Sequence, residues 1–291
     1  MPGSRFRSPS PIRPAGYAEV RRFLHHKGAV IGSVLLLGLM VMAGLAPALA
    51  PHDPIAQDQQ ASLQSPRPAH LLGTDVFGRD MLSRVIWGGR QSLRVGFLAV
   101  LVGGVVGTVL GLLAGYFGSW TGTLILRLTD LLLALPGILL ALTIVAATGP
   151  SLENVVIAVG ISSIPAYVRI VNGAVLDVKT RAFLEASRAS GAADLRIIGH
   201  HVVPNILAPI IVLTTLGLGN ALLVAATLSF LGLGAQPPTP EWGAMLSQGR
   251  EFIFGYWWIA TFPGVAILLA VIGTNLLGEA MRDLLDPKLR V

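Results

Sequence analysis

The chain has 291 residues, of which 53% are hydrophobic and only 12% charged, against roughly 25% charged in an ordinary soluble domain, so most of it must sit in a solvent other than water. The net charge is +6, but the basic residues are spread over loops between apolar runs, which reads as membrane orientation and not as a face for nucleic acid. There is no cysteine, which excludes disulfides, thiolate nucleophiles and cysteine-ligated zinc or iron–sulfur centres.

A bilayer core about 30 Å thick takes roughly 20 apolar residues per helix. Six segments approach that length: Ala29 to Ala50, Val95 to Phe117, Leu124 to Ala147, Val155 to Val171, Ile206 to Phe230 and Trp257 to Leu277. This predicts an all-α integral membrane protein. Its expected divisions are a cytoplasmic N-terminal segment 1–28, a first membrane helix 29–50, an external segment 51–91, a five-helix core 92–280 and a cytoplasmic tail 281–291.

The first span has competing readings as a secretion signal, because Arg21, Arg22 and Lys27 precede it and Ala48-Leu49-Ala50 resembles a cleavage site; Arg21-Arg22-Phe23-Leu24 also resembles a twin-arginine signal. Its apolar run exceeds a usual signal core, Pro51 would follow the cut directly, and five more spans come after it. A retained helix is expected. Arg5, Arg7, Arg13, Arg21, Arg22 and Lys27 before it, and Lys179, Arg181, Arg188 and Arg196 between spans four and five, belong in the cytoplasm. Six crossings then bring Arg282, Lys288 and Arg290 inside as well. Arg67, Arg79, Arg84 and Arg90 fall outside against this rule, balanced in number by Asp53, Asp58, Asp75 and Asp80.

Span two carries Gly103, Gly107, Gly111 and Gly115, a side-chain-free stripe at spacing four that lets another backbone approach closely. It reads as ordinary helix packing or as a moving gate between helices. Arg127 and Asp130 share one helix face at spacing three at the start of span three, where they can pair or snorkel to the surface. Pro136 and Pro165 are expected to kink spans three and four. No run of acidic residues or histidines crosses the membrane, so nothing suggests a proton relay.

Between spans four and five lies the polar loop, at about 178–205. Lys179 to Ser190 is rich in helix formers and stops at Gly191, suited to a helix C-terminus. Asp194 can begin a second short helix, and Pro204 marks the start of span five. Two short helices with a tight turn would form a compact cytoplasmic knob, or a plain connection between spans. Here the chain resembles the bacterial binding-protein-dependent ABC importers, whose permeases carry an E-A-A, three residues, glycine, nine residues, I-x-L-P loop. Glu185, Ala186, Gly191 and Pro204 match at the required spacing, while Ser187 replaces the second alanine, His201 the isoleucine and Val203 the leucine. The resemblance implies a six-helix, MetI-like permease in a bacterial inner membrane. It also implies docking of this loop on an ATPase subunit through Phe183, Glu185, Ala186, Ser187, Gly191, Ala192, Asp194 and Pro204.

The stretches His70 to Arg84 and Leu228 to Gly243 look like the peptide and nickel permeases of the DppC and OppC type. Read physically, the first is a turn-rich polar stretch leading toward an interfacial helix with Trp87. The second has Pro237, Pro238 and Pro240, an extended rigid external loop. Either touches a substrate-delivering protein or only braces the bundle. The implied partners are a second homologous permease, two ATPases, an external binding protein and membrane lipid. The implied substrates are dipeptides or oligopeptides, with nickel or glutathione as alternatives.

The chain has three lysines, preceded by His26, Val178 and Pro287, so none sits in the G-x-x-x-x-G-K-[ST] loop that ATP binding would need. Catalysis is therefore not expected of this chain; ATP and Mg2+ belong to partners. The histidines do not cluster along one helix face to form a metal cage, and no metal or other cofactor is expected. The path-lining residues cannot be read from the sequence. Two rivals from other classes remain: an ATP-independent channel or secondary transporter, and a membrane anchor or receptor, the latter without a sizeable soluble domain to serve it.

Overall fold

The computed structural model describes residues 22–285; the arginines expected to orient the N-terminus up to Arg21, and Lys288 and Arg290 of the tail, lie outside the described residues. The chain is helical: α1 (Lys27–Gly44), α2 (Ala46–Leu49), α3 (Met81–Phe117), α4 (Ser119–Leu133), α5 (Gly137–Thr148), α6 (Leu152–Lys179), α7 (Ala182–Ala189), α8 (Asp194–Ile197), α9 (Val203–Phe230), α10 (Trp242–Gly249) and α11 (Trp258–Leu285). A π-helical turn, Ile198–Val202, joins α8 to α9. Extended pairing is confined, among the described residues, to two isolated bridges, Arg67 with His70 and Thr74 with Asp80.

The expected division at residue 92 falls inside one helix. Asp80 caps α3, its carboxylate accepting from the Ser83 amide at 2.8 Å, so the helix starts at Met81. At 1.5 Å per residue its 37 residues reach about 55 Å, far beyond the apolar thickness of a bilayer. Its first turns therefore stand clear of the membrane and carry a polar cap.

Span three is broken where a kink was expected. Leu135 precedes a proline and is steered away from helical backbone, Pro136 offers no amide, and α4 and α5 meet at a bend of 87°. Pro165, by contrast, lies inside α6 without ending it. Five helical stretches, including residues 194–230 as one, are long and apolar enough to cross a membrane, and the bent pair passes the same test together.

The packing decides how the pair counts. Positions 103, 107, 111 and 115 of α3 meet residues 160–163, 164–167, 168–171 and 172–175 of α6 in ascending order, so the two helices run parallel. The end of α3 and the start of α6 are at opposite ends of that contact, and α4 with α5 must carry the chain back between them. The pair makes one crossing, and the bundle has six. Gly219 of α9 faces Thr274 of α11 and Leu216 faces Gly278, an antiparallel pair, while Gly28 and Gly32 of α1 lie against Leu276 and Gly273. His26 Nε2 stands 3.3 Å from Asp283 Oδ2. The start of α1 and the end of α11 are thus on one side of the bundle, with the start of α9.

All four glycines of the stripe are turned to α6. A Cβ would stand 2.7 Å from the Gly160 carbonyl oxygen at Gly103, 2.8 Å from that of Ile164 at Gly107, 2.8 Å from that of Val168 at Gly111, and 2.8 Å from Val175 Cβ at Gly115. Backbone meets backbone along four turns, a contact only glycine permits. Gly111→Leu should separate α3 from α6 and cost about 1–3 kcal/mol, the usual penalty of overpacking, whereas at Gly38 a Cβ meets nothing within 4 Å and Gly38→Leu should be neutral. Thermal unfolding of the detergent-solubilised protein compares them, and equal midpoints would contradict the assigned contact.

Candidate functional site

The loop after α6 folds into a small knob. Leu184, 1% exposed, enters an apolar nest of Val171, Val175, Val178, Ile197, Val202 and Ile206. It thereby anchors α7 by its one buried side chain. Gly191 ends that helix at φ +78°, in the left-handed region that glycine enters without a Cβ clash. Its amide donates to the Arg188 carbonyl at 2.9 Å and the Ala192 amide to that of Ser187 at 3.2 Å, the paired bonds of a Schellman stop. Asp194 then opens α8, with Ala193 at the cap position. Pro204, which has no amide to donate, is the second residue of α9, just after the π-helical turn that joins α8 to α9.

This arrangement fixes which loop residues face outward. Glu185, Ala186, Gly191, Asp194 and Pro204 are exposed, and Ser187 and Ala192 half-buried. Phe183 is 41% and Leu195 83% exposed, apolar side chains left open on α7 and α8, the first two positions before the exposed Glu185. The knob is also tied to the membrane helices by side chains that sequence reasoning did not single out. Tyr116 Oη donates to Asp194 Oδ1 at 2.6 Å, and the Arg188 guanidinium lies 5.5 Å from the Tyr116 ring centre. Lys179 Nζ donates to the carbonyls of Tyr116 at 2.8 Å and Gly115 at 3.2 Å, closing the C-terminal end of α3 with the charge its dipole favours. The available signal was position: Tyr116 directly follows the last glycine of the stripe.

At the opposite end, the two stretches around residues 70–84 and 228–243 are bound into one cap. Asp75 is 3% exposed and receives the Arg79 Nε at 2.6 Å, with Arg84 Nε at 3.5 Å; Arg79 and Arg84 are 2% and 1% exposed. Arg79 also donates to Gln248 Oε1 at 3.2 Å, and Arg84 to the Pro54 carbonyl at 3.1 Å. Glu241, 2% exposed, caps α10 by accepting from the Gly243 and Ala244 amides and takes the Ser92 hydroxyl at 2.9 Å. Trp242 Nε1 donates to the Val85 carbonyl and Trp258 Nε1 to that of Thr74. The arginines that conflicted with the orientation rule include two, Arg79 and Arg84, that are internal ion-pair partners of Asp75. Asp130 pairs with Arg169 of α6 at 2.8 Å instead of with Arg127, tying α4 to α6. The turns of the cap also bring His52, His70 and Asp80 together, from loops and not from a helix face.

The chain is thus a six-crossing helical bundle with an exposed knob before its last two crossings, the architecture of a multi-pass membrane protein. Residues 107–291 match the family model of the binding-protein-dependent transport system inner membrane component, and residues 18–66 match the N-terminal transmembrane domain of oligopeptide transport permease C. The chain belongs to this family of multi-pass inner-membrane permeases, as a non-catalytic subunit of an ABC transporter, a class whose members work with ATPase and binding-protein partners. It is 47% identical to the di/tripeptide transport system permease protein DppC of Pseudomonas aeruginosa (97% of this chain, 95% of that one). It is 45% identical to the dipeptide permease DppC of Alkalihalophilus pseudofirmus (99% and 94%). It is also 45% identical to the glutathione transport system permease protein GsiD of Pectobacterium atrosepticum (93% and 90%). A permease chain of the inward-facing MetNI methionine ABC transporter shares the fold, with TM-score 0.59, 19% identity, and coverage of 71% of this chain and 98% of that one.

Two substitutions probe these contacts. Tyr116→Phe removes the bond to Asp194, worth about 1.5–3 kcal/mol for a charged acceptor, so amide exchange in α7 and α8 should rise at least about tenfold by mass spectrometry; an unchanged rate would show that the hydroxyl does not hold the knob. Asp75→Ala strands two buried guanidinium groups and should cost about 3–5 kcal/mol, read as a lower unfolding midpoint.

Proposed function

We propose that this chain forms half of the transmembrane path of an importer for short peptides and receives its driving force through the knob. The single observation behind this reading is that Phe183, Glu185 and Leu195 are all exposed on a knob tied through Tyr116 and Lys179 to the ends of α3 and α6. A rigid partner pushing on that surface moves two long parallel helices together, the rigid-body motion by which transporters alternate access. ATP and Mg2+ would be held by two separate ATPase subunits docked on Phe183, Glu185, Ala186, Ser187, Gly191, Ala192, Asp194 and Pro204.

In this reading the knob end is cytoplasmic, together with the start of α1 and the end of α11, and the cap faces the binding protein. A second, homologous permease completes the path. The groove between α3 and α9, about 420 Å3 and lined by Leu101, Gly104, Thr108 and Thr214 among others, is the face we place toward it. The names of the relatives above favour di- and tripeptides, and the glutathione relative keeps that γ-linked tripeptide as a second candidate substrate. A self-contained channel would leave the exposed knob surface without a use.

The test is ATP hydrolysis in proteoliposomes holding this chain, its partner permease, the ATPases and the binding protein. Dipeptides should stimulate hydrolysis and uptake; stimulation by glutathione alone would move the substrate, and none by either would overturn the peptide reading. Glu185→Lys should lower uptake at least about tenfold, since reversing one interface charge costs several kcal/mol, while assembly of the bundle persists. Full uptake in that variant would refute docking at this surface.

A further inference from the structure

We propose that His52, His70 and Asp80 form a binding site for one divalent d-block cation of the Zn2+ class at the cap end of the molecule. The inference does not depend on the transported substrate. His52 follows α2, His70 closes the bridge with Arg67, and Asp80 caps α3, so three stretches of chain converge on one point.

The donor atoms are suitably close. His70 Nδ1 is 3.0 Å from Asp80 Oδ1 and His52 Nδ1 is 3.7 Å from Asp80 Oδ2. One donor atom from each residue lies within 4.8 Å of the other two. Donors about 2.0–2.2 Å from a tetrahedral centre stand roughly 3.3–3.6 Å apart, so small side-chain shifts seat the ion. Two imidazoles and a carboxylate select a borderline cation over Mg2+ or Ca2+, which prefer oxygen.

The surroundings hold these ligands as a metal site requires. The Asp80 side chain is 1% exposed and is fixed by the Ser83 amide at 2.8 Å and hydroxyl at 2.7 Å, both on Oδ2. The same hydroxyl receives the His52 amide at 3.0 Å. Such outer hydrogen bonds orient metal ligands. The His52 side chain is 45% exposed and that of His70 14%, so the ion would be reached from the His52 side. That residue also lines a cavity of about 620 Å3 with Trp87, Gln91 and Pro238, which leaves a coordination position open to water or an anionic group. When the cation binds, each ring presents its Nδ1 lone pair and keeps its proton on Nε2; the His70 Nδ1–H bond to Asp80 is exchanged for two bonds to the metal.

The test is Zn2+ titration of the untagged, assembled transporter, with bound metal counted by mass spectrometry and the unfolding midpoint followed in parallel. We expect one Zn2+ per copy of this chain lost in His52→Ala, at least about tenfold weaker binding in His70→Asn, and a Zn2+-dependent rise in midpoint seen only in the parent. His52 is an exposed loop residue, and asparagine keeps a donor for Asp80, so both variants should fold. Equal Zn2+ binding in the parent and His52→Ala, displacement of Zn2+ by equimolar Mg2+ or Ca2+, or no saturable binding would each overturn the site and leave a His70–Asp80 hydrogen bond with His52 beside it.

Discussion

The backbone contact between α3 and α6 organises the molecule. In a bilayer the apolar side chains gain little by leaving lipid for one another, so helices associate through close packing and the bonds that proximity allows. Four glycines a turn apart bring α3 within reach of the α6 carbonyls. That contact makes the two helices parallel and sets their ends at common levels. Lys179 and Tyr116 can then join the helix ends at the knob, and α3 can project its first turns into the cap. It also forces the intervening chain to return across the membrane, which the broken pair α4 and α5 accomplishes.

The two ends of this frame meet different physical demands. The cap buries Asp75, Arg79, Arg84, Asp80 and Glu241, charges that would be costly in isolation and are tolerated because each has hydrogen-bonded partners. Such a network holds three loops and two tryptophans in one register. The knob is the reverse: Leu184 anchors α7 against Ile197 and Val202, one tyrosine hydroxyl steadies α8, and Phe183, Glu185 and Leu195 are left exposed. A well-braced end opposite an end with a presented surface is the geometry of a lever.

Much of this was legible in the chain because its determinants are local. Apolar run length located the crossings, and the spacing of Glu185, Ala186, Gly191 and Pro204 located the knob, since a helix stop and a helix start are written in neighbouring residues. Gly191 needs its positive φ whatever surrounds it. Local reading failed where partners are distant in sequence. Helix spacing offers Asp130 a pair with Arg127 or a position at the surface, but its ion pair forms with Arg169, and the kink expected at Pro136 is a full break between α4 and α5.

By itself, then, the sequence determined a multi-span helical permease, the position of the knob between its fourth and fifth crossings and the absence of a phosphate-binding loop in this chain, because hydropathy, turn chemistry and motif spacing act within a few residues. Only the tertiary structure decided that the glycine stripe faces α6, that Tyr116 grips Asp194, that Arg79 and Arg84 are internal partners of Asp75, and that His52 and His70 meet over Asp80. Those pairings follow from how the helices lie against one another, and helix direction and loop closure are set by packing over the whole bundle.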